Sequence, residues 1–264
     1  MRNIIRGMRG GLPKITEKDV RALTDNIRKA VRNTGYNGVV LGLSGGIDSA
    51  VVAKLCADAI GAENVLCVFM PSRVTTADDY RITAALCTEW GTEYRILDVQ
   101  PAVDSLSAIL ATSTDTPLDR GNIAARCRMI VLFNLAKKNG RVVMGATNES
   151  EFQMGYFTKF GDGAYDISPL SGLYKTHVRQ IAKMIGIPQE IIEKPPSAGL
   201  WAGQTDEEEM GISYNDLDPV LYGISRGHKD DAISEMTGVP MDKVMSIRER
   251  VERSEHKRGS PICP

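Results

Sequence analysis

Apolar positions recur along the chain in two alternating rhythms. Over residues 16–33 they fall at Val20, Leu23, Ile27, Ala30 and Val31, the spacing of a helix with one buried face. Thr16 stands where a cap belongs and Asp19 follows three residues on, where a carboxylate meets the helix dipole. Asn37-Gly38 then turns the chain into Val39-Val40-Leu41-Gly42-Leu43, a short, uniformly apolar run that is β-branched at its start. Such a run fits a strand buried in a parallel sheet.

The alternation continues. Residues 49–59, 76–90, 101–111 and 122–138 read as helices, and 65–70, 93–97 and 141–145 as strands. Strands alternating with helices imply right-handed crossovers, hence an α/β fold with an open parallel sheet and helices on both faces.

Residues 155–172 break the rhythm with Gly155, Gly161, Gly163, Pro169 and Gly172 set between aromatics. A long loop in a compact domain is usually functional. Helix resumes over 174–186, with His177 expected on its surface. Residues 194–204 are irregular again and expected to move, and short helices run on to Arg253. Asp206 is expected to cap the acidic helix start Glu207-Glu208-Glu209, and His228-Lys229 to begin a surface helix. Without a repeat or linker, residues 1–264 read as one domain, with 1–12 as a basic arm.

Composition narrows the function classes. No run approaches the ~18 apolar residues a membrane span needs, and the basic start lacks the apolar stretch of a secretory signal. Net charge is −1 with both signs interspersed, which implies no face for a nucleic-acid backbone. Cys56, Cys67, Cys87, Cys127 and Cys263 are odd in number and include no C-x-x-C, against a disulfide framework or a cysteine metal site. The first four are expected in the core and Cys263 at the surface, in a reducing, cytoplasmic compartment.

The chemistry begins where the first strand ends. Gly42-Leu43 leads into Ser44-Gly45-Gly46-Ile47-Asp48-Ser49, and a helix follows at once. Adjacent glycines let backbone approach a ligand, and free N–H groups at a helix start favour an anion. Ser44 and Ser49 add hydroxyls. Asp48 would repel a bare phosphate and makes sense with a divalent cation between them. The loop has neither the G-K-[ST] of a Walker loop nor G-x-G-x-x-G.

These six residues resemble the S-G-G-x-D-S loop of the ATP pyrophosphatase (PP-loop) superfamily, whose members cleave ATP between the α- and β-phosphates and adenylate a substrate oxygen. From about residue 20 onward the chain is similar to NAD synthetases. The likeness is carried by Gly145-Ala146-Thr147-Asn148-Glu149-Ser150-Glu151-Phe152-Gln153-Met154-Gly155-Tyr156-Phe157-Thr158-Lys159-Phe160-Gly161-Asp162-Gly163-Ala164-Tyr165-Asp166, by Pro195-Pro196-Ser197-Ala198-Gly199-Leu200-Trp201, by Gly203-Gln204-Thr205-Asp206-Glu207-Glu208-Glu209, and by Gly211-Ile212-Ser213-Tyr214 and His256-Lys257-Arg258.

The resemblance implies an adenine nucleotide alpha hydrolase-like, Rossmann-like fold, and a homodimer that amidates deamido-NAD with ammonia, using ATP and magnesium. It places magnesium on Asp48 and Glu151. ATP would lie on residues 42–49, Thr147, Lys175 and Ser197, and deamido-NAD on Arg126, Lys159, Asp166, His256 and Lys257. Asp48, Lys175 and Asp166 would serve the chemistry, Asp166 as base or ammonium anchor. Thr147 departs from the pattern, since the family's threonine position holds Ala146.

Nothing before Thr16 is long enough for a glutaminase domain, so free ammonia is expected, or ammonia from a separate glutaminase. Other readings are a different PP-loop amidotransferase such as a GMP synthetase ATPase domain, a tRNA thiolase, and a nucleotide sensor without catalysis.

Overall fold

The computed structural model describes residues 12–110, 116–201 and 203–259 of the 264-residue chain. The positions 1–11, Ala111 and Cys263 lie outside the described residues. In chain order the elements are α1 (Glu17–Asn33), β1 (Gly38–Gly42), α2 (Ile47–Ile60), β2 (Val65–Phe69), α3 (Ala77–Trp90), β3 (Glu93–Ile96), α4 (Gln100–Leu110), α5 (Pro117–Asn139) and β4 (Arg141–Val143). Then come α6 (Glu149–Met154), α7 (Lys175–Met184), α8 (Gln189–Glu193), α9 (Asp206–Met210), α10 (Tyr214–Ser225), α11 (Asp230–Thr237), α12 (Met241–Arg253) and α13 (Glu255–Arg258). No helix among the described residues is long and apolar enough to cross a membrane.

The four strands form one parallel sheet in the order β3-β2-β1-β4. Alternate strand residues feed two separate cores. Val39, Leu41, Val65, Cys67 and Val142 pack with α1, α2, α3 and α7 on one face. Val40, Leu66, Val68 and Val143 pack with α4 and α5 on the other. Both faces are therefore covered, which is why the central strands β1 and β2 read as unbroken apolar runs. A third cluster joins Met154 and Tyr174 to α10, α11 and α12. Cys56, Cys67, Cys87 and Cys127 are free thiols inside these cores.

Chain order reverses at β1, whose neighbours are β2 on one side and β4 on the other. Ligands in open α/β sheets bind beyond the carboxyl ends of the strands at such a reversal. Two loops leave from that edge: residues 43–46 from β1, and residues 144–148 from β4.

Helix starts follow local chemistry. Thr16 with Asp19, Thr76 with Asp79 and Thr116 with Asp119 all form reciprocal capping boxes, each worth about 1 kcal/mol. The third box starts α5 at Pro117, five residues before the expected start, because Thr116 caps and proline suits a first helical position. His177 is not on a surface. It is fully buried, its Nε2 lies 2.8 Å from the Pro13 carbonyl oxygen, and its Nδ1 accepts the Tyr174 N–H. Burial lowers its pKa, so it sits there as a neutral bridge between α7 and the chain before α1.

Candidate active site

The loop after β1 is shaped by its own serines. The Ser49 hydroxyl donates to the Gly46 carbonyl at 3.0 Å and accepts the Ser44 N–H at 3.2 Å. Ser49 is buried and its hydroxyl is spent on the loop, so it shapes this turn, while Ser44 stays exposed. Gly45 has φ +81°, a torsion that a side chain would strain. Gly46 precedes α2 with no side-chain cap, leaving the first-turn N–H groups of Ile47, Asp48 and Ser49 without an intrahelical acceptor. Leu43 and Ile47 turn their side chains into the core, and Gly42 lies against Met70. Residues 42–49 thus offer a ligand mainly backbone.

Three charged side chains meet beside this loop. The Lys175 ammonium, on a side chain only 3% exposed, is hydrogen-bonded to Asp48 and lies 3.4 Å from Glu151 Oε1. Asn148 spaces the carboxylates. Its Nδ2 donates to Asp48 Oδ1 at 3.0 Å, and its Oδ1 caps α6 by accepting the Glu151 N–H at 3.0 Å. Burial, and then the Asp48 charge, push the Glu151 carboxyl up to about 8. Burial works against the Lys175 charge, yet Asp48 and Glu151 hold its pKa above the ordinary lysine value.

A third carboxylate belongs to this cluster. Asp206 is not the cap residue of α9; Thr205 holds that position, without a side-chain cap hydrogen bond, and Asp206 is the first helical residue, only 2% exposed. Its Oδ2 accepts the Tyr214 hydroxyl at 3.0 Å, and its Oδ1 has no hydrogen-bond partner among the described residues. Burial raises its carboxyl, against the pull of Lys175. The Tyr214 ring lies 5.3 Å from the Lys175 ammonium. Asn148, Asp206 and Tyr214 lie within the motif runs that carry the family likeness, but the sequence reading gave none of them a part in the site.

A second corner forms around residues 155–161. The Lys159 ammonium donates to the His256 carbonyl at 2.6 Å, and Arg126 Nη2 to the Lys159 carbonyl at 3.4 Å. Lys257 Nζ donates to the carbonyls of Gly155 and Phe157 at 2.7 and 2.9 Å, and Arg258 to that of Gln153 at 2.6 Å. Arg126, Lys159, His256 and Lys257 are therefore neighbours, drawn from α5, the glycine-rich segment and the tail. Helix α6 connects the corners, with Glu151 near its start and the clamped carbonyls at its end.

The other expected residues have hydrogen-bond partners of their own outside the Asp48–Glu151–Lys175 group. Asp166 accepts the Val143 N–H at 2.8 Å, continuing the edge of β4. Thr147 is buried, with its hydroxyl 3.5 Å from the Asp162 carbonyl. Ser197 is exposed and accepts the Gly199 N–H within its own turn, so its hydroxyl is not brought to the carboxylate pair. His228 and Lys229 are exposed at the start of α11, as expected.

Comparison with known proteins shows the family. The profile of the NAD synthase family matches residues 19–261. The chain belongs to the NAD synthase family. An NH(3)-dependent NAD(+) synthetase of Pyrococcus horikoshii is 44% identical over 93% of this chain and 95% of its own length. Among solved structures, the NMN synthetase from Francisella tularensis superposes with a TM-score of 0.84 at 35% identity, covering 95% of this chain and 99% of the other. The NH3-dependent NAD synthetase from Campylobacter jejuni, in complex with the nitrate ion, gives 0.80 at 29% identity over 94% and 98%. The chain is thus a ligase that forms carbon–nitrogen bonds, of a family that uses ATP as co-substrate.

A divalent cation fits the NAD synthase site on its own chemistry. Magnesium is commonly held by one or two carboxylates together with substrate phosphates. Asp48 and Glu151 are two carboxylates that both reach one positive charge, the Lys175 ammonium.

Proposed function

We propose that this chain amidates the nicotinate carboxylate of deamido-NAD with ammonia, through an acyl-adenylate, giving NAD, AMP and pyrophosphate. The observation that carries this reading is the convergence of Asp48, Glu151 and Lys175 beside the backbone-donor loop at residues 44–49. A carboxylate oxygen attacks the α-phosphorus of ATP and pyrophosphate leaves. Ammonia then attacks the activated carbonyl carbon, and AMP leaves.

Loop N–H groups and Lys175 oppose the negative charge that grows on the departing pyrophosphate. Magnesium held by Asp48 and Glu151 would supply further neutralisation of that charge. Ser197 and Thr147 are proposed ATP contacts. Arg126, Lys159 and His256 receive the dinucleotide, and Lys257 holds the carbonyls of the segment that carries Lys159. Asp166 has one oxygen committed to Val143, which leaves Oδ1 to anchor ammonium or take its proton. Residues 194–204 close over the site and exclude water from the adenylate.

A homodimer is proposed on the same family likeness, and single-domain organisation and a cytoplasmic location with it. Exposed Leu106, Ile109, Leu110, Leu118 and Ile130 on α4 and α5 are the apolar surface such a dimer would cover. Sedimentation of the wild type and of Ile109→Lys tests this.

The activity test combines protein, ATP, magnesium and ammonium with either deamido-NAD or nicotinate mononucleotide. Equal yields of AMP, pyrophosphate and NAD with deamido-NAD support the reading. The mononucleotide arm is included because the Francisella tularensis relative is an NMN synthetase. Preference for that arm, or ATP cleavage with neither substrate, overturns the dinucleotide claim.

A further inference from the structure

A carboxylate that the proposed chemistry does not use lies against the loop. Asp79, in the first turn of α3, packs on Gly45 so closely that a Cβ there would sit 3.2 Å from Asp79 Oδ1. Its Oδ2 is committed to the Thr76 N–H and hydroxyl at 2.9 and 2.8 Å. Burial opposes its charge, but Lys194 and Thr76 hold its carboxyl below the ordinary value. A fixed negative charge beside a loop that takes a polyanion works against binding.

Lys194 answers that charge. Its Nζ donates to Asp79 Oδ1 at 2.5 Å. One carboxylate oxygen therefore separates this ammonium from the backbone of Gly45. An ammonium has three donors, and Asp79 takes one. Lys194 follows α8 directly and precedes Pro195-Pro196, the root of the irregular segment. Helix α8 is itself tied to α3 by Arg81 and Glu190 at 2.8 Å. The base of the segment thus stands on the helix that lines the loop.

We propose that Lys194 is a pyrophosphate-binding residue: it neutralises Asp79 at the Gly45 edge of the loop and donates a second N–H to a terminal phosphate oxygen of the nucleotide. The inference deepens the adenylation reading and rests on it. The ligand class is the polyphosphate end of ATP, and equally the pyrophosphate it releases. Occupancy of the loop then also fixes the first residue of the closing segment.

The test breaks one ion pair from each side. Magnesium pyrophosphate is titrated calorimetrically into the full-length wild type, Lys194→Ala, Lys194→Arg and Asp79→Asn. Asparagine keeps an oxygen for the α3 cap, and Lys194 is part-exposed, so the fold tolerates both changes. The expected result is binding about tenfold weaker for Lys194→Ala, recovery in Lys194→Arg, and equal or tighter binding for Asp79→Asn. A merely structural pair would shift Lys194→Ala and Asp79→Asn in the same direction, and that result overturns the inference, as does Lys194→Ala binding like wild type. No binding to the wild type overturns the loop reading and the inference together.

Discussion

Asn148 joins Asp48 to the start of α6, donating to Asp48 Oδ1 at 3.0 Å while its own oxygen caps the helix at Glu151. One side chain thus places both carboxylates of the site, across 100 residues of sequence. The two jobs separate by substitution. Asn148→Ala loses cap and spacer, and is expected to cost about 1–2 kcal/mol in denaturant unfolding. Asn148→Ser keeps a capping oxygen but cannot donate like an amide to Asp48, so stability returns while kcat/KM for ATP stays down by about tenfold.

The raised Glu151 carboxyl makes the metal-free fold sensitive to pH. Its pKa is about 8, against an ordinary 4.5. Between those values the folded chain holds a proton that the unfolded chain has released, so stability falls as pH rises through this window. The contribution is fully present below about pH 4.5 and lost above about 8. Thermal unfolding of wild type and Glu151→Gln in chelator checks this: the variant gains relative to wild type as pH climbs from 5 to about 8.5, and the gap closes at the acid end.

Gly121 in α5 touches the proposed lid. A Cβ at this position would lie 2.6 Å from Leu200 Cβ. Alanine raises helix propensity by about 1 kcal/mol in an exposed site, but here it must displace Leu200. Gly121→Ala is therefore expected to leave α5 intact and increase proteolytic cleavage within 194–204, with ATP-dependent turnover reduced. Unchanged cleavage in that segment contradicts the contact.

Much of this architecture was legible in the chain. The unbroken apolar runs at Val39 and Val65 implied a sheet covered on both faces, and the loop at 44–49 lies at the carboxyl edge of that sheet, where its sequence placed it. What escaped was decided by tertiary contact. Thr116 and Pro117 begin α5, but the four residues between them and Asn122 carry too little periodicity to extend a helix by pattern. His177 is polar, yet a carbonyl from Pro13 and an N–H from Tyr174 satisfy it inside the core. Asp206 looked like a cap because an acidic run followed it, while folding turned it inward toward Lys175 and Tyr214. Motif spacing also named Lys257 without revealing which oxygens its ammonium would take.

Those oxygens carry the next expectation. Lys257 satisfies the Gly155 and Phe157 carbonyls from about 100 residues downstream. Lys257→Met leaves both without their donor, at a cost of about 1–3 kcal/mol. It also frees the segment that carries Lys159, so the KM for deamido-NAD rises more than kcat falls. Equal losses in both constants indicate a role confined to the reaction step.

The central claim is that a substrate carboxylate oxygen becomes bonded to the α-phosphorus of ATP beside Asp48, Glu151 and Lys175. Deamido-NAD labelled with oxygen-18 in its carboxylate tests it most directly. After one turnover with ATP, magnesium and ammonium, adenylation predicts AMP carrying one labelled oxygen and unlabelled pyrophosphate. Label in inorganic phosphate with ADP as co-product, or AMP free of label, would contradict the account.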